Sequence, residues 1–158
     1  MAVDMFLKVD GIKGETRDKA KAGEIDVLAW SWGVSNSGNA QLGGGMGAGK
    51  ANCQDISVTK YLDDSSPALQ LACIKGTHIK EAILTVRKAG DKPLEYLKIT
   101  MSDVFVSSCS TGGSGGEDRL TENVSLNFAK MKFEHQKQKA DGTGEKGGQW
   151  EYSFAENA

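Results

Sequence analysis

The chain has 158 residues, enough for one ordinary core, and its 19 Lys and Arg nearly balance 21 Asp and Glu. No block of five like charges and no basic amphipathic stretch occurs, which excludes a nucleic-acid groove and a membrane-surface helix; no window nears the roughly 18 apolar residues of a membrane span. Three cysteines and two histidines, none at zinc spacing, predict reduced thiols with no metal and no cofactor site.

Alternation with period two dominates the chain. In "AVDMFLKVDG" Val3, Met5, Leu7 and Val9 share one face, with Asp4, Phe6 and Lys8 on the other. Asp4 and Asp10 interrupt this apolar stretch, so it does not read as a signal peptide, and synthesis in the cytoplasm without a Sec address is expected. "EIDVLAWSWGV" (24–34) puts Leu28, Trp30, Trp32 and Val34 on one face and Ile25, Val27, Ala29 and Ser31 on the other. The tryptophans read first as core aromatics, with stacking on a ligand as the alternative.

Residues 35–54 break the pattern, holding six of the 20 glycines and little apolar content. So long a loop is either a plain insertion or an element that docks on a neighbouring subunit. From Gly44 it reads G-x-x-x-x-G-K, one residue short of a phosphate-binding loop. That loop needs a helix after it and a hydroxyl after the lysine to bind magnesium. Here Ala51 stands at the hydroxyl position, and "ANCQDISVTKYLD" predicts a strand, so nucleotide hydrolysis is rejected.

After the strand at 55–63 comes "SSPALQLACIKG", the one helix expected, over 65–76. Ser66 is its candidate cap, Pro67 its first helical residue and Gly76 its end, with Leu69, Ala72 and Cys73 on the buried side. Further strands are predicted at 81–90, 95–108, 123–135 and 148–156. In 123–135 the apolar face passes from Val124, Leu126 and Phe128 to Met131 and Phe133, which predicts a bulge near Ala129. Between two of these strands, "SSCSTGGSGGEDRLTE" places Gly112, Gly113, Gly115 and Gly116 before Glu117, Asp118 and Arg119. The adjacent carboxylates read as solvated or paired with Arg119, and as an acid–base pair only in second place. The total is a single mainly β, antiparallel domain over 1–158 with one short helix and a long extended loop.

The segments "MAVDMFLKVDGIKGE", "EIDVLAWSWGVSNSG", "GGGMGAGKANCQDISVTKYLD", "LTVRKAG", "EYLKITMSDVFVSS" and above all "STGGSGGEDRLTENVSLNFAKMKFEH" resemble the haemolysin-coregulated protein (Hcp) family of bacterial type VI secretion. The resemblance runs from Met1 to about Gly148, and only the tail departs from it. It implies a β-barrel of two sheets flanked by a short helix, forming homohexameric rings that stack into a tube. The tube lies inside a contractile sheath, is topped by a spike protein (VgrG) and is expelled into the medium or a target cell. The family is not enzymatic, and some members hold and stabilise small effector proteins within the ring.

The resemblance assigns the contact between rings to Gln41, Leu42, Gly43, Gly44, Gly45, Met46, Gly47, Ala48, Gly49 and Lys50. Glu117, Asp118 and Arg119 are candidate partners across the junction or between subunits. If Trp30 and Trp32 face the core, Ala29 and Ser31 face the ring's lumen. A phage-type tail tube protein is the near alternative. A small enzyme using Cys53 or Cys109 is the distant one, and it predicts a thiol of depressed pKa.

Overall fold

A computed structural model describes residues 3–38, 51–88, 94–139 and 144–156. Nine strands and one α-helix lie within them: β1 (Val3–Val9), β2 (Ile25–Ser31), β3 (Val34–Asn36), β4 (Ala51–Cys53), β5 (Ile56–Tyr61), α1 (Ser65–Lys75), β6 (Ile79–Lys88), β7 (Glu95–Gly112), β8 (Thr121–Gln138) and β9 (Gly144–Ser153). The strands pair antiparallel in the order β5-β2-β1-β6-β7-β8-β9, and β5 also pairs β8, so six strands close into a barrel with β9 outside the closure. β3 and β4 form a separate two-stranded hairpin.

Two sheets share the long strands β7 and β8. β2, β5 and the stretches 105–112 and 121–128 form one; β1, β6, β9 and the other ends of β7 and β8 form the second. The corner lies at Asp103, whose φ of 53° is left-handed. Buried residues are spaced by three on both strands there, Met101 and Val104 on β7, Phe128 and Met131 on β8. The register runs unshifted from Ser102↔Lys130 to Val104↔Phe128. The face switch read from the sequence is therefore present, but both strands turn together and no bulge at Ala129 is needed.

Inside lies one core of Leu7, Val9, Ile25, Val27, Ile56, Val58, Leu69, Leu84, Ile99, Met101, Val106, Leu126 and their neighbours. β2 differs from its predicted facing. Ile25 and Val27 are buried and Leu28 is 40% exposed. A register shift between Val27 and Ala29 then turns Trp30 inward, against the core, and leaves Ala29 and Ser31 exposed. Phe6, on the polar face of β1, is buried because the Arg87 guanidinium lies 5.0 Å over its ring.

α1 begins one residue before its expected cap. Asp63, not Ser66, accepts from the Ser65 amide at 2.9 Å and from the Ser65 hydroxyl. Ser66 is instead buried, its hydroxyl oxygen accepting from the Asp63 amide and from Lys60 Nζ, each at 3.0 Å. Gly76 ends the helix in the left-handed conformation, φ 61°, as only glycine does cheaply.

Candidate functional site

The first sheet turns its outward side into a surface of short, uncharged side chains. The register makes two rows across four strands: Ala29, Thr59, Asn123 and Ser110 in one, Ser31, Ser57, Ser125 and Ser108 in the other. All eight are exposed or half-buried. Thr59 donates to Asn123 Oδ1 at 2.8 Å, and the hydroxyls of Ser57 and Ser125 are 3.4 Å apart. Ladders of this kind satisfy one another across strands without fixing a charge.

Directly beneath, the same strands bury a charge network. Lys60 and Glu122 are fully buried and 3.2 Å apart. Lys60 Nζ also donates to Asp63 (3.0 Å), Ser66 Oγ (3.0 Å) and the Tyr61 carbonyl (2.9 Å), and Gln70 of α1 donates to Glu122 (3.3 Å). A buried pair is tolerable only when its remaining donors and acceptors are satisfied, and here they are.

The two ends of the uncharged face are dissimilar. At one, Asp55 accepts from Ser107 Oγ (2.6 Å) and Asn127 Nδ2 (2.9 Å), next to the β3–β4 hairpin. At the other, Tyr61, Thr121 and Gly112 are in register, and Arg119 lies 3.9 Å over the Tyr61 ring. Glu117 and Asp118 are exposed there, the solvated arm of the sequence reading, and among the described residues neither forms an ion pair with Arg119. Residues 41–50, to which the resemblance assigns the contact between rings, lie outside the described residues. The hairpin that brackets them emerges at the Asp55 end, opposite to Glu117 and Asp118.

Both flanks of this sheet are open. β1 meets β2 only at Ile25 and Asp26, so residues 28–31 have no neighbour on that side among the described residues. β6 meets β7 only up to Val104, so residues 105–112 are unpaired on that side among the described residues. Exposed apolar side chains accompany each edge: Leu28 and Val34 near the first, Phe105 at 42% near the second. Ile74 of α1, the helix that packs on β7, is 80% exposed. Alternation in the sequence puts Ala29 and Ser31 on the outward face but does not give the six residues that continue their rows, because register is a property of pairing and not of any one strand.

Neither candidate thiol, Cys53 or Cys109, is activated by its surroundings. Burial, then the Glu122 charge and Cys73, pushes Cys109 up to about 11, and burial also raises Cys53. Neither has the depressed pKa that a reactive cysteine requires. Among the described residues no group of three His, Cys, Asp or Glu could hold a metal ion.

A family model described as "Type VI secretion system effector, Hcp" matches residues 6–135. Protein hcp1 of Pseudomonas aeruginosa is 59% identical over 143 residues, covering 90% of this chain and 88% of that protein. Hcp1 of Salmonella typhimurium superposes with a TM-score of 0.78 at 36% identity, covering 100% of this chain and 99% of that one. A structure described as a type six secretion system protein superposes at 0.89 with 29% identity and covers 99% of each chain.

Proposed function

This chain belongs to the Hcp family of type VI secretion, a family of structural secretion proteins, and from that premise we propose that it is the subunit of a homohexameric ring that stacks into the secretion tube. The observation that carries the reading is the four-stranded uncharged sheet with an open edge on each flank. Open edges invite pairing with another chain, and soluble proteins cover them. Two different edges on opposite flanks are satisfied by a head-to-tail contact that closes on itself, which is a ring. The face between the edges, with Ala29 and Ser31, then lines the lumen. Its small uncharged residues suit the holding of small effector proteins of varied sequence. The ring is exported with the spike protein inside the sheath, and the subunit performs no catalysis.

Stacking follows from the unlike ends. The hairpin that brackets residues 41–50 leaves one end, and Glu117 and Asp118 are exposed at the other. Lys50 is the one charged residue between positions 41 and 50, and it pairs with an acid of the next ring. Light scattering tests the ring: a mass near six times 16.8 kDa is expected, and a monomer at high concentration overturns it. Lys50→Glu is expected to leave that mass unchanged while abolishing tubes in electron micrographs, with Glu117→Lys restoring them. Loss of the hexamer itself would place the loop in the wrong interface.

A further inference from the structure

β3–β4 is the one sheet that cannot sustain itself. Among the described residues it has three pairs, Val34↔Cys53, Ser35↔Asn52 and Asn36↔Ala51, and neither strand joins the larger sheet. A two-stranded ribbon is marginal in water even when longer, and this one must also close the long segment between its strands. Something outside the hairpin holds it.

The contacts lead to the chain's last strand. Just before β3, the Trp32 indole N–H donates to Cys53 Sγ at 3.4 Å, and Gln54 N donates to the Gly33 carbonyl at 3.0 Å. The Trp32 ring lies 5.9 Å from Trp150 of β9. Trp150 stacks on Phe133 of β8 at 6.0 Å with the planes 1° apart, and meets Phe154 edge-on at 6.5 Å. Phe154 is fixed at the strand corner: its amide donates to the Ala129 carbonyl at 2.8 Å and its ring lies 6.0 Å from Phe128. A continuous path of rings thus joins the corner of the barrel to the base of the hairpin, and Trp150 is the link between its halves. Such pairs have preferred geometries and add to the area they bury.

We propose that β9 is a brace, and that Trp150 is the positioning residue through which it holds the β3–β4 hairpin against the barrel. The six-stranded closure does not include β9, and Trp150 is 39% exposed, so the barrel does not depend on it. The functional consequence rests on the tube reading: losing the brace weakens the stacking of rings.

Amide hydrogen exchange on the full chain tests the brace. In Trp150→Ala the amides of β3 and β4 are expected to lose protection about tenfold or more, while those of β5 and of 121–128 keep theirs. Trp150→Phe, which retains a stacking ring, is expected to restore most of the protection. Unchanged protection of β3 and β4 in Trp150→Ala overturns the proposal. So does a loss spread evenly over the barrel, since Trp150 would then be an ordinary core residue. Loss confined to the hairpin, with tube formation unaffected, upholds the brace and refutes instead the role given to residues 41–50.

Discussion

The hairpin of β7 and β8 is one continuous pair of strands with two different outer surfaces. On one side of the corner at Asp103 its outward residues include Ser108, Ser110, Asn123 and Ser125; on the other the outward face carries Lys98, Lys130, Lys132 and Glu134 beside Thr100 and Ser102. The second set is what a strand facing bulk water carries, with Lys130 paired to Glu151 of β9 at 2.5 Å. The first set is exposed in the subunit yet bears no charge, and its charge is stored beneath, in Lys60 and Glu122. A surface exposed to water alone has no reason to avoid charge, since isolated ionised side chains are cheap there. The contrast favours a surface that faces something other than bulk solvent.

The largest effect is expected from breaking the buried side of the uncharged half. Lys60→Met leaves the Glu122 carboxylate buried without a counter-charge and should cost about 3–5 kcal/mol in urea unfolding, whereas Lys60→Met with Glu122→Leu should recover most of it. At the corner that separates the halves, Asp103→Val should cost about 1–3 kcal/mol because a β-branched residue cannot hold a left-handed φ cheaply, and Asp103→Gly should cost nothing. Changing the surfaces themselves should scarcely alter stability. Ser57→Lys and Lys132→Ser are each expected within about 0.5 kcal/mol of the parent. Only Ser57→Lys should abolish co-purification of an effector; equal loss in both would erase the distinction between the halves.

The smallest effect is that of pH on two ion pairs outside the core. The hydrogen bond from Arg87 holds Asp18 below the ordinary carboxylate range, and Lys130 does the same for Glu151. A carboxylate whose folded pKa is depressed stabilises the fold above its unfolded pKa, and the contribution disappears as pH falls through the folded value. Thermal midpoints should therefore be flat from neutrality down to about pH 5 and decline below about pH 4. Glu151→Gln should lessen that decline slightly, with the uncharged half unaffected.

Much of this architecture was legible in the chain. The strands, among them the one at 56–61 that follows the glycine-rich run, the helix ended by Gly76 and the switch of apolar face within 123–135 all follow from periodicity and turn chemistry, which are local. Even Lys60 falls on the Ile56 and Val58 face by alternation, though nothing local says that Glu122 waits opposite it. Leu28 misled, since a single shifted residue exchanges the two faces of a strand and the shift is set by pairing with β5. Ser66 misled in a smaller way, because Asp63 reached the helix start first while Lys60 took the serine hydroxyl.

By itself the sequence determined a mainly β fold with one helix, because side-chain pattern and backbone propensity act over a few residues. Tertiary structure decided the rest. Which strands close the barrel, which edges stay open, how eight small residues from four strands form one uncharged face, and how Trp150 reaches Trp32 from the far end of the chain all depend on register between distant segments, and no local pattern encodes that.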